Sequence, residues 1–542
     1  LTGRRMEKTP REELIEVQQK LWKWNKDIID HSVLVKEPGF DNYEKAYRRT
    51  LEDYTRISDQ DEMVAEALKS DIIYVGDYHT CNQSQRSFLR LLKAVVKSDD
   101  NFSVGMELLH KRHQEVLDRY LSGKISEKTF LQRIKLQEHW VFDLWDNFKP
   151  IFDFCKYHKI PMYAIDAAPK SSDVKRRDAD SAKLIASAIK KDPERKMFVF
   201  IGDLHIAPPH LPRGVSRALR KLKIRKNDLI LYQNGESIYW DLARQGAEDF
   251  VEVVKLSDGQ FCRMHTPPII SQRSYLNWLE NEESEIDYAD ARSSFLELVD
   301  RICDFLKLEL GKAKDEVDIF TCGDLTFLKR LQEKGDFSRK EINTIKKQIL
   351  ASESYYISKA KIVYLANLSI NHAAEEAAHF IKNVCSGPEE PRAIIDAFYA
   401  NTLHEALGFF GSKLMNNKRK CYHEKDFKNL LAYFKTVRIP SDRRLEYEMA
   451  HLIMEYLKLE KKGRPLEQTE IFKSNMDLFI AITHALGYMM GDKLYYGLMN
   501  QVIKKKEVKE LFLSPWRDDG EPVEVYMDLN ARLKGVKIPR RM

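Results

Sequence analysis

Two tetrapeptides in this chain share one pattern. Gly76-Asp77-Tyr78-His79 follows the apolar run "DIIYV", and Gly202-Asp203-Leu204-His205 follows "MFVFI". An aspartate two residues before a histidine offers a pairing that can hold a divalent ion, activate a bound water or move protons. Glu107, in Gly105-Met106-Glu107, and Asp166, in "MYAID", stand after two further apolar runs. The expected cluster therefore has Asp77, His79, Asp203 and His205 as metal ligands, Glu107, His79 and His205 as the catalytic set, and Asp166 as a ligand-binding group. Without a metal, acids held close together push each other's pKa values apart and divide acid and base roles. The plain structural alternative is that each aspartate caps a following helix. Two copies in equivalent places weigh against it.

Residues must be brought together by a scaffold, and the texture of residues 67–245 supplies one. Short apolar runs ("DIIYV", "FSVGM", "PMYAI", "MFVFI", "LILYQ") alternate with amphipathic stretches such as "QRSFLRLLKAVVKS". That alternation predicts an α/β fold, a mostly parallel sheet covered by helices. Ligands bind such sheets at the carboxyl ends of the strands, where all four acids stand. Arg176 and Arg177 follow the Asp166 run, and Arg177 is placed to hold a propionate or other carboxylate; a solvated basic helix start is the competing reading.

Around this domain the sequence divides into a helical N-terminal arm (1–66), a mixed hairpin and helix segment (246–350) and a separate, largely α-helical C-terminal domain (351–542). Leu14, Val17, Leu21 and Trp22 fall roughly on one face of the arm. Asp258-Gly259 marks a hairpin turn. "EVDIFTCGDLTFLKRL" adds one strand and a helix. In the last segment Gly487 and Gly491, four apart, predict a close helix–helix approach.

Hydrophobic residues make up 43% and charged residues 32% of 542, as in an ordinary globular protein, and a net charge of +6 from 89 basic and 83 acidic residues does not suggest a nucleic-acid partner. No apolar stretch is long enough to span a bilayer. The cysteines (Cys81, Cys155, Cys262, Cys303, Cys322, Cys385, Cys421) are odd in number and never in a C-x-x-C pair, which suits free thiols. With no apolar segment of signal-peptide type near residue 1, cysteine usage predicts a cytoplasmic location.

The stretch from Gly105 to Ala167 resembles the ChaN-like haem-binding uptake family of the Tiki/erythromycin-esterase superfamily. The likeness rests on Gly105-Met106-Glu107, Gln114 with "LDRYLSG", Trp140 with "DNFKPIF", the "IPMYAIDA" run and the later "GDLHIAPPHLPRGV". It spans about residues 67–240. The resemblance implies a site of acids and two histidines, here Glu107, His79 and His205, with haem or a divalent metal as cofactor and a role in iron acquisition. It also implies a bacterial envelope location, periplasmic or outer-membrane associated, against the cytoplasmic expectation. Asp77 departs from the glutamate usual in the family's first motif, which shortens the acid's reach. Tyr120, His110 and His113 are candidate haem ligands because they lie near the recognisable helix, and His210 lies in a proline-rich loop beside His205. Three functions stay open: haem or metal-ligand binding, metal-dependent hydrolysis of an ester or amide, and a scaffold with a degenerate site.

A second constellation lies in the helical domain. Glu376 with His379, and Glu448 with His451, both read E-x-x-H, and Glu405 lies between them in sequence. Di-iron carboxylate bundles use two such helices with lone glutamates from two others. The competing reading is packing, homo-oligomerisation or partner binding through this domain.

Overall fold

Each of the five apolar runs becomes a strand. The computed structural model describes residues 8–32, 40–135, 145–167, 173–282, 288–321, 324–350, 354–366, 369–466, 472 and 475–539. Trp140 and Cys322 lie outside these residues.

The chain divides into two compact units, Trp22–Glu285 and a second made of Leu1–Leu21 with Ile286–Met542. The first is built on an eight-stranded sheet: β1 (Arg56–Ser58), β2 (Ile72–Asp77), β3 (Phe102–His110), β4 (Met162–Asp166), β5 (Lys196–Gly202), β6 (Asp228–Gln233), β7 (Val253–Ser257) and β8 (Gln260–Arg263). Their order is β1-β7-β8-β6-β2-β5-β3-β4. From β8 to β4 every pairing is parallel, and β7 and β1 add antiparallel edges. Strands covered on both faces must be apolar throughout, and every residue of β2 is buried. Phe88, from the helix Asn82–Val95, stacks on Phe200 at 4.3 Å between ring centres.

This sheet is wider than the 67–245 expectation. Residue Ile57 of the arm pairs with Val254, and the hairpin turning at Gly259 (φ +70°) joins the sheet through β8 beside β6. Val253, Val254, Phe261 and Cys262 are fully buried there, so the hairpin and the Arg56–Ser58 end of the arm belong to this sheet, whereas residues 1–21 fall in the second unit.

The second unit is not wholly helical after residue 350. β9 (Asp318–Thr321), β10 (Tyr355–Ile357) and β11 (Ile362–Leu365) make a small sheet in the order β10-β11-β9. Aromatic and β-branched residues in "YYI" and "IVYL" favour strands, and Lys361, at φ 55°, turns the chain between them. The helices Ile370–Ser386, Ile394–Met415 and Met476–Met499 pack closely. A Cβ on Gly487 would lie 2.7 Å from the Thr402 carbonyl oxygen, and one on Gly491 would lie 3.0 Å from Phe409 Cβ. Glycine at both positions permits the predicted approach. The six described cysteines form no disulfide with one another.

Candidate functional site

Strand register sets the geometry. β2 and β5 are neighbours with Asp77 directly opposite Gly202, so both G-D-x-H motifs leave the sheet side by side. β3 lies against the other edge of β5, with Met106 opposite Phe200, which delivers Glu107 to the same place. A register irregularity between β3 and β4 begins just after Met106, the kind of bulge that re-aims a side chain.

Glu107 is buried at the centre. Its Oε2 accepts a hydrogen bond from the Gly202 N–H (2.7 Å), and its Oε1 accepts one from Arg177 Nη2 (2.6 Å). His79 Nε2 lies 3.7 Å from Oε2, and His205 Nε2 lies 3.8 Å from Oε1. Each histidine is held at its other nitrogen by an aspartate: His79 Nδ1 by Asp77 Oδ2 at 2.7 Å, His205 Nδ1 by Asp178 Oδ1 at 2.6 Å. The Tyr43 hydroxyl donates to Asp178 Oδ2 (2.7 Å) and lies 3.0 Å from His205 Nδ1. The Tyr43 ring also stacks on His210 at 3.6 Å. Gln85 donates to Asp77 Oδ1.

The charges follow from these partners. Burial pushes the Glu107 carboxyl up, but His205, His79, Arg177 and the Gly202 N–H outweigh it and hold the pKa at about 2. Burial lowers His79, yet Asp77 and Glu107 bring it up to about 9. Burial raises the Asp77 carboxyl above the usual range. Asp203 is carried up to about 8 by burial and then by Asp77. Burial and Asp178 keep the proton on Tyr43, so it donates.

Asp77, His79, Glu107 and His205 therefore meet as expected, and Arg177 joins them. Arg177 serves Glu107, however, and is not a free clamp for a ligand carboxylate. Asp203 points elsewhere: its Oδ1 is buried without a hydrogen-bond partner against Gly76, where any Cβ would overlap it. Asp166 closes β4 opposite His110, which is two places from β5 in the sheet. Tyr120 is a correction. It is 2% exposed, stacked on Phe130 at 4.5 Å and edge-on to Trp145, so it is a core residue. Asp178, Tyr43 and Gln85 are additions that no motif marked.

In the helical unit the E-x-x-H pair of the helix Arg444–Lys461 is also corrected. His451 is exposed and within 3.7 Å of Glu455, and Glu448 accepts a hydrogen bond from Arg444. This helix turns both residues away from its buried face of Ala450, Ile453 and Leu457. Glu376, His379 and Glu405 are instead buried or half-buried in the packed helices.

Residues 63–181 match the family described as haem-binding uptake, Tiki superfamily, ChaN. This segment is similar to that family. The match takes in Asp77, His79, Glu107, Arg177 and Asp178 and ends before Asp203 and His205. A solved structure of cofacial haem binding to ChaN of Campylobacter jejuni is similar over 33% of this chain and 86% of that one, at 15% identity and a TM-score of 0.26. The α/β fold of the first unit is read from its own sheet order. No curated protein matches the chain. Among the described residues no helix is long and apolar enough to cross a membrane.

Proposed function

We propose that the α/β unit binds haem or another metal-centred ligand at the strand-end rim, in the handling of iron or haem. The observation that carries this reading is the paired arrangement of His79 and His205. Each has Nδ1 fixed by a buried aspartate and turns Nε2 toward Glu107, which is how proteins orient imidazoles for ligation. A bound haem would supply an iron centre able to take an imidazole nitrogen, and His79 and His205 are the residues that would offer one. The His79 side chain is 31% exposed and that of His205 9%, so His79 is the group a flat macrocycle would meet first. His205, with Tyr43 and Asp178 behind it, holds the inner wall.

A second reading has one observation in its favour. Two imidazoles and one carboxylate that stays ionised down to about pH 2 form a donor set used by single divalent ions. Glu107 would then hold the ion or a water in a metal-dependent hydrolase acting on an ester or amide.

A haem titration followed in the Soret region separates these readings, run on the protein and on the His79→Ala/His205→Ala variant. Saturable binding lost in the variant supports haem at the rim. Binding that survives moves haem elsewhere on the chain. No shift in either protein overturns the haem reading, and a chelator-sensitive esterase or amidase activity would then favour the hydrolase.

A further inference from the structure

The helical unit holds a second gathering of ligating groups, independent of the rim. Glu375 on the helix Ile370–Ser386, Glu405 on Ile394–Met415 and His484 on Met476–Met499 each offer an atom, and these atoms all lie within 4.8 Å of one another. His484 Nδ1 is 3.1 Å from Glu405 Oε2. Glu375 Oε2 accepts a hydrogen bond from Arg419 Nη2 at 2.9 Å.

Most buried polar atoms of a folded protein find a hydrogen-bond partner, and each that does not calls for an explanation. Two beside this cluster do not. Glu376 is 5% exposed and its Oε2 has no hydrogen-bond partner. That oxygen faces His379 Nδ1 at 3.7 Å, and the His379 Nε2 is buried and equally without a partner. The bare Nε2 lies over Gly408, where a Cβ would clash with it and would also come within 3.1 Å of Glu375 Cγ. The absent side chain at Gly408 keeps this space open for the imidazole and the glutamate together.

We propose that Glu375, Glu405 and His484 form a binding site for one divalent first-row transition ion, with His379, oriented by Glu376, beside Glu375 at Gly408. The donors are an imidazole nitrogen and carboxylate oxygens without thiolate, a set suited to ions of the manganese-to-zinc series. The ion takes an imidazole in its neutral form, so its binding weakens as pH falls.

Cobalt(II) is the probe, added to the full, metal-stripped chain and followed by visible absorption and equilibrium dialysis. The His79→Ala/His205→Ala variant should still bind one equivalent with a ligand-field band. Adding His484→Asn to it should weaken that binding at least about tenfold, and Glu405→Gln should do the same. His484 is 48% exposed in its side chain, so its replacement leaves the fold intact, which circular dichroism would verify. Cobalt bound equally with and without His484→Asn overturns the site. So does a rim variant that binds no cobalt, a result that needs no helical-unit variant to fold.

Discussion

The rim of the α/β unit and the cluster of the helical unit use the same residue types in opposite ways. At the rim, His79 and His205 each have one nitrogen fixed by an aspartate and the other turned to a shared glutamate. In the helical unit His379 keeps one nitrogen bare, and its glutamate neighbour keeps one oxygen bare. The rim is pre-organised by hydrogen bonds, whereas the cluster is satisfied in part and leaves the remainder to a ligand. Neither state can be read from residue type alone, because both depend on which helix or strand brings the second partner.

The comparison breaks most visibly with the histidines. His79→Ala with His205→Ala should lower haem affinity at least about 100-fold in a Soret titration and leave cobalt binding in the helical unit unchanged. Equal losses at both would mean that the two sites are not independent. A smaller effect is expected from Asp178→Asn, which keeps the shape beside His205 but removes the charge; haem affinity should fall roughly tenfold with stoichiometry unchanged. Gly487→Val should destabilise the helical unit by about 1–3 kcal/mol in urea unfolding, because the new side chain meets the Thr402 carbonyl of a neighbouring helix.

Asp203, under Gly76, also predicts a pH dependence. The Asp203 carboxyl is carried up to about 8 in the folded protein, above the unfolded value of about 3.9. The folded state therefore holds a proton that the unfolded state has released, and stability falls as pH rises from about 4 through about 8. Urea midpoints measured across that range should slope downward, and Asp203→Asn should flatten the slope. The smallest effect belongs to the pair turned away from the buried face of its helix. Glu448→Gln with His451→Asn should change stability by less than about 0.5 kcal/mol and leave cobalt binding intact.

These contrasts explain what the sequence could disclose. Strand ends converge by topology, so repeated motifs after apolar runs revealed Asp77, His79, Glu107 and His205 without knowledge of the strand order. Asp203 follows the same pattern, yet its side chain turns under Gly76, a choice made by backbone direction in the short helix Asp203–Ile206. Asp178 left a trace that periodicity could have found. It shares the buried face of its helix with Ser181, Ala182 and Ile185, and a charged residue in that position needs a partner. Tyr43 left none, since its partner lies 135 residues further along the chain. In the helical domain two E-x-x-H motifs looked equivalent, and only helix phase separated the buried copy from the exposed one. Tyr120 was misjudged because an aromatic in a recognisable helix says nothing about which way the ring faces.

Tyr43 has a consequence for how this protein can be divided. It belongs to the helix Phe40–Thr50, outside the alternation of strands and helices and before the first residue of the ChaN-like match. A fragment cut to residues 63–285 would keep both G-D-x-H motifs, Glu107 and the six parallel strands. It would lose the hydroxyl that closes on Asp178 and the ring that lies on His210. The segment that identifies the fold is thus shorter than the segment that finishes the rim, and a minimal unit should be measured from the Tyr43 helix rather than from the first strand of the motif.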